Sequence, residues 1–245
     1  MTRSDYSKTI HIYDDNIGKV EYVEHMGDDL TVVNSARVSF GATKDKIDDR
    51  DRKLIKYLIK HRHTSTLEHN AVTFRFCVPL YVRSQHHRHR TWAYNEISRR
   101  YTDVDIRFYE PQGFRTQHKS NRQASNAEEL INPHISYENP EMAYEVSKPA
   151  SALLKKHHRE TLKLFDKFLD AGVCREQARG ILPQNMYTEY YGTVNLNNLL
   201  KFIDLRTHEG AQWEIQQMAN ACLEIATDLF PITVGAYREI RSKNE

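Results

Sequence analysis

The stretch VTFRFCVPLYVRSQHHRHR, Val72 to Arg90, changes its period halfway along. Val72, Phe74, Phe76 and Val78 alternate with Thr73, Arg75 and Cys77, the pattern of a strand with one apolar face. Pro79 ends that run. Leu80 to Arg90 then reads as a helix with the proline near its first turn. On such a helix Gln85, Arg88 and His89 fall at i, i+3 and i+4 on one face, with His86 and Arg90 opposite. No acid occurs between His69 and Asn95, although Arg75, Arg83, Arg88 and Arg90 all do.

The basic character continues through RHRTWAYNEISRRY, Arg88 to Tyr101. Guanidiniums pair with carboxylates, phosphates or electron-rich rings, so this run faces either solvent or an anion. It is not a plain cationic tract. Trp92, Tyr94 and Tyr101 are interleaved, and Asn95, Glu96 and Ser98 add neutral and acidic hydrogen-bonding groups. That mixture suits a ligand with both a phosphate and a flat heteroaromatic ring.

Toward the N-terminus, Thr9 to Val23 reads as two short strands about a DDNIG turn. LTVVNSARVSFG, from Leu30, begins as a strand and has a helix start at Asn34 to Arg37. Asp48 to His61 is an amphipathic helix capped by Asp48, with Leu54, Ile55, Leu58 and Ile59 as its apolar stripe. His61, His63 and His69 have the look of metal ligands, but no carboxylate or cysteine cluster completes such a site. We therefore assign no metal.

Toward the C-terminus, Phe108 to Lys148 has no clear period and is punctuated by Asn139-Pro140. It reads as a surface excursion with a short helix at most. Pro149 to Asp170 is a helix that buries Leu154, Leu162, Phe165, Phe168 and Leu169, with His157 and His158 on its wetter side. Arg175 to Ile181 is a short helix and Met186 to Asn195 a strand. Asn197 to Leu205 and Ala211 to Phe230 are helices. In the last of these, Ile215, Met218, Cys222, Ile225 and Leu229 follow the helical period and form either core or a subunit interface.

With 245 residues, 39% apolar and 28% charged, the chain is long enough to bury a proper core. No run of 18 apolar residues and no apolar leader is present, which argues against a membrane span or a signal peptide. The net charge of +2 gives no bulk argument for nucleic acid. Cys77, Cys174 and Cys222 lack paired spacing, which points to the reducing cytoplasm.

The basic run resembles the signature of the flavin-dependent thymidylate synthases: Arg-His-Arg, seven residues, Ser, then a closing Arg-Tyr. Arg88, His89, Arg90, Asn95, Glu96, Ser98, Arg100 and Tyr101 all match. Four further blocks resemble the same family in the same order: NSARVSFG from Asn34, HRHTSTLEH from His61, QARGILPQNMYTEYYGTVN from Gln177 and LRTHEGAQWEIQ from Leu205. Arg99 and Ala93 depart from the usual Gly and Ser. Asn197 and Lys201 replace an Arg and an Asn that contact flavin in some members.

The resemblance implies an α+β fold, a small antiparallel sheet flanked by helices, in one catalytic domain over residues 1–245 with the excursion at about 108–148. It implies methylation of dUMP to dTMP, with 5,10-methylenetetrahydrofolate as carbon donor and FAD, reduced by NADPH, as hydride donor. It also implies a homotetramer with shared active sites. Gln85, Arg88, Glu96, Ser98, Arg100, Arg179 and Arg206 match dUMP contacts, Arg206 being the catalytic one. Ser39, His63, Arg88, His89, Arg90, Glu96 and Asn195 match FAD contacts, and Ser65 and Glu68 share the flavin-side loop. Ser98 lacks a partner base, so it reads as a positioning group rather than a nucleophile.

Two rival readings remain. A nucleic-acid-binding module built on the Arg/His-rich helix calls for a wider basic surface and a pI above the 8.3 of this sequence. A metal hydrolase would use His61, His63, His69 and His86.

Overall fold

A computed structural model describes residues 6–138 and 145–242. Its centre is the strand read first from the sequence. This strand, β3 (Ala71–Pro79), follows β1 (Thr9–His11), β2 (Lys19–Met26) and two helices, α1 (Asp29–Arg37) and α2 (Asp49–Lys60). After it come α3 (Leu80–His86) and β4 (Ala93–Glu96). The excursion holds β5 (Phe114–Gln117), β6 (Ser125–Ile131), β7 (His134–Glu138) and β8 (Glu145–Pro149). The rest is α4 (Ala150–Asp170), α5 (Arg175–Ala178), β9 (Tyr187–Asn195), α6 (Leu196–Thr207), α7 (Trp213–Leu229) and α8 (Pro231–Arg241).

The main sheet is antiparallel, in the order β1-β2-β3-β9-β4. Val72, Phe74, Phe76 and Val78 are fully buried on one face of β3. They meet Tyr190 and Val194 from β9, then Leu199 and Phe202 from α6 and Met218, Cys222 and Ile225 from α7. On the opposite face Thr73 bonds Thr193 at 2.9 Å and Arg75 pairs with Glu189 at 2.5 Å. The apolar stripe of α7 is therefore core within this chain, and it carries no argument for a subunit interface. Deleting a ring such as that of Phe76 costs about 3–5 kcal/mol. No helix among the described residues is long and apolar enough to cross a membrane.

Four local expectations change. Leu30 to Val33 is helical, not extended. Asp28 and Thr31 form a reciprocal capping box, which outweighs the strand preference of Val32 and Val33. The helix after Pro79 stops at His86, not Arg90. The Tyr94 hydroxyl reaches the His86 and His89 carbonyls at 2.8 and 3.1 Å and satisfies the helix end. Gln85, Arg88 and His89 therefore do not share a helical face. The excursion forms hairpins β5–β6 and β7–β8 instead of a helix, and Asn139-Pro140 lies outside the described residues. His158 is buried, not wet: it stacks on Phe108 and bonds Glu110 at 2.7 Å and Asn185 at 3.2 Å.

The capping box of α2 turns on Asp51, a buried carboxylate that Arg37 and Lys44 each reach at 2.6 Å. Burial alone would raise its pKa. Hydrogen bonds from Lys44, the Asp48 backbone and Arg37 outweigh burial and hold it well below the usual carboxylate range. The helix α8, for which the sequence reading made no assignment, begins at Pro231 and is capped from a distance by Asp29. That carboxylate accepts from the backbone N–H groups of Ile232 and Thr233 at 2.9 and 2.8 Å.

Candidate functional site

The signature run begins in the turn after α3 and ends beyond β4, the edge strand of the main sheet. It is fixed from below by rings. Trp92 is buried against Phe74, Phe76 and Phe202. That packing needs Gly192 on the neighbouring strand, because a Cβ there would come within 2.8 Å of the Phe76 ring. His86 is wholly buried beside the same rings and shares a 2.8 Å hydrogen bond with the Tyr190 hydroxyl. Burial, then the neighbouring His89, His87 and Arg206, push its pKa well down, so it is an uncharged pillar.

Around this pillar the site residues fall into three groups. The first pairs His89 with Arg206 in the last turn of α6, where Arg206 Nε donates to His89 Nε2 at 3.0 Å. Both are half-buried. Burial and then the guanidinium charge lower the His89 pKa to about 4, which leaves the imidazole neutral and free to accept. Burial also lowers the Arg206 pKa. Among the described residues no carboxylate pairs with Arg206. Arg88 and Arg90 flank His89 and are exposed.

The second group is an exposed corner. Arg100 pairs with Glu176 at 3.1 Å, and Arg179 Nε reaches the Glu176 carbonyl at 3.4 Å. The Arg100 backbone N–H donates to Ser98 Oγ at 3.3 Å. Sequence positions 98, 100 and 179 thus converge. Between the groups, Glu96 faces Arg83 at 3.1 Å and accepts from Thr188 at 2.7 Å. Gln85 hydrogen-bonds Gln212.

The third group lies elsewhere. Asn195 caps α6, its side chain accepting from the Asn198 N–H at 2.9 Å. Eleven residues of helix, about 16 Å at 1.5 Å per residue, separate it from Arg206. Ser39 is exposed in the 3-10 turn after α1, and His63 is exposed beside Tyr57. Glu68 accepts from Asn197 at 2.8 Å. No hydrogen bond or ring contact among the described residues joins Ser39, His63 or Asn195 to His89 or Arg206. Asn197, a departure from the family pattern, is buried. Arg99, another departure, is buried and turns away to the Val104 carbonyl at 2.6 Å.

The cysteines stand apart. Burial pushes the Cys77 thiol up to about 12, and Cys222 is raised by the same cause, so neither is a nucleophile. Among the described residues no group of three His, Cys, Asp or Glu side chains could hold a metal. The sequence reading missed Gln212 and Glu214. They lie in the LRTHEGAQWEIQ block, where the resemblance gives a role to Arg206 but none to Gln212 or Glu214.

The chain is similar to known proteins over most of its length. Residues 21–232 match the family model described as "Thymidylate synthase complementing protein". A flavin-dependent thymidylate synthase of Thermus thermophilus is 40% identical over 222 residues, covering 91% of this chain and 76% of that protein. One from Thermotoga neapolitana is 36% identical over 230 residues, covering 93% and 94%. The crystal structure of the UMP/dUMP methylase PolB from Streptomyces cacaoi, bound with 5-Br dUMP, is similar with a TM-score of 0.75. It is 30% identical and the match covers 94% of this chain and 97% of that one.

Proposed function

The chain belongs to the flavin-dependent thymidylate synthase family, and from that premise we propose that it methylates dUMP to dTMP. In this reading 5,10-methylenetetrahydrofolate is the carbon donor, and FAD, reduced by NADPH, supplies the hydride when bound.

The observation that carries the reading is Arg206. Among the described residues it is a half-buried cation without a carboxylate partner, and its one side-chain hydrogen bond is to an uncharged histidine. Such a cation is satisfied by an anionic or electron-rich ligand. A uracil ring gathering negative charge meets that need, and so does an electron-rich flavin ring. Arg206 then stabilises charge on the pyrimidine, and His89 holds the guanidinium in line without competing for it.

Arg100, Arg179 and Ser98 take the nucleotide phosphate, with Glu176 giving up Arg100 to the dianion. Gln85, Arg88 and Glu96 orient the sugar and base. The residues assigned to FAD fit that group chemically: Arg88 and Arg90 offer exposed cations, and Ser39, His63, His89 and Asn195 offer hydrogen bonds. The distance of Asn195 from Arg206 along α6 supports a site shared between subunits, one subunit's Asn195 end completing another's Arg206 end, and the assembly in this reading is a homotetramer. We read residues 1–245 as one catalytic domain of the cytoplasm.

Purified protein should be yellow, should release flavin absorbance on denaturation, and should form dTMP only when dUMP, folate donor and reductant are all present. Colourless protein that stays inactive after addition of FAD would sink the reading.

A further inference from the structure

A chain of hydrogen bonds links the excursion to the nucleotide side of the site. Gln85 Nε2 donates to Gln212 Oε1. Gln212 Nε2 donates to Glu214 Oε2 at 2.8 Å. Arg115, at the base of the β5–β6 hairpin, donates to the other oxygen, Glu214 Oε1, at 2.5 Å. This pair is nearly dry: the Glu214 side chain is 4% exposed and that of Arg115 17%. Arg115 is itself clamped. Its Nε donates to Ser125 at 2.9 Å, and its guanidinium lies over the Trp213 ring at 5.0 Å.

The direction of the chain is forced at one end. A carboxylate paired with arginine only accepts. Gln212 must therefore turn its NH2 toward Glu214 and its carbonyl toward Gln85. Gln85 must answer with its own NH2, and among the described residues no hydrogen bond uses its Oε1. We propose that Arg115 and Glu214 are positioning residues that fix the amide of Gln85 so that its carbonyl oxygen meets a hydrogen-bond donor of the nucleotide. The inference rests on the assignment of Gln85 to the nucleotide. The donor is either the pyrimidine N3–H or a sugar hydroxyl. An amide locked as acceptor gains the whole bond, whereas one free to flip offers the wrong group half of the time.

The test is dUMP affinity and turnover of the flavin-loaded enzyme. Glu214→Gln keeps the shape but removes the acceptor-only end, and should weaken dUMP binding about tenfold with turnover at saturating dUMP unchanged. Gln85→Ala should weaken it similarly, and the double variant should be no worse than Gln85→Ala alone. Arg115→Lys should recover most of the affinity that Arg115→Gln loses. Comparing dUMP with N3-methyl-dUMP and the 3′-deoxy analogue identifies the donor, because the analogue lacking it should be indifferent to Gln85→Ala. Additive losses in the double variant, or wild-type affinity in Glu214→Gln, overturn the proposal. Should Glu214→Gln fail to fold, the half-buried Gln212→Ala takes its place in the same cycle. If Gln85→Ala itself binds dUMP normally, it is the assignment of Gln85 to the nucleotide that fails.

Discussion

Arg179 and Arg206 carry the same side chain in opposite surroundings. Arg179 is exposed, near a carboxylate residue and a second arginine. Arg206 is half-buried beside a neutral imidazole. Two unit charges 4 Å apart interact by about 1 kcal/mol in water and by about 4 kcal/mol at an effective dielectric constant of 20. The exposed corner can therefore grip a phosphate that has the same charge before and after reaction. The half-buried pair is better placed to reward charge that appears only during reaction.

The comparison is broken most directly by Arg206→Ala. The rate at saturating dUMP should fall by about 10²-fold, corresponding to ~3 kcal/mol, while NADPH still reduces the flavin. A loss confined to dUMP affinity, with unchanged single-turnover rates, would remove Arg206 from catalysis. Arg179→Ala is the counterpart. It should raise the dUMP dissociation constant by roughly tenfold, or ~1.4 kcal/mol, and leave the saturated rate alone. An equal fall in that rate would mean that the two arginines do one job.

The pillar beneath Arg206 sharpens the comparison through pH. His86 and His89 are held uncharged in the folded chain, chiefly by burial. An unfolded histidine titrates near ~6.5. Below that pH the unfolded state binds more protons, so stability present above it is lost as pH falls toward about 4, the His89 value. Denaturant midpoints measured from pH 7.5 to 5 should decline, and His89→Gln should flatten part of the slope. A flat profile would mean that the pillar is not desolvated. The smallest effect is screening. Raising salt from 0.05 to 0.5 M should weaken dUMP binding a few-fold, roughly, through Arg100 and Arg179, and leave the saturated rate unchanged. A rate that tracks salt instead would place Arg206 in open water.

What could be read in advance follows the range of the interaction. The alternation in β3 and the cap of α2 at Asp48 are local, and both were legible. The capping box at Asp28 was equally local but masked by the β-branched pair Val32 and Val33. The end of α3 was not legible, because it depends on Tyr94 from a strand eight residues away. His158 was assigned to the wet side of α4 because its neighbours Glu110 and Asn185 come from distant segments. At the site, block recognition named Arg206 and His89 individually but gave no hint that they touch. Nor could it show that Glu214 meets an arginine from the excursion, since nothing in the pattern of Phe108 to Lys148 marks Arg115.

The central pair of strands imposes an order of assembly on the living chain. Thr73 and Thr193 face each other yet lie 120 residues apart in sequence. Closing a loop of that size is slow, because entropy is lost before pairing returns anything. Within the main sheet β4 has β9 as its neighbour, and β9 starts about 90 residues later. During synthesis the signature run therefore leaves the ribosome early and waits, cationic and unpaired, for a strand not yet made. A nascent or truncated chain ending before β9 carries every residue of the motif but lacks the strand on which its edge is paired.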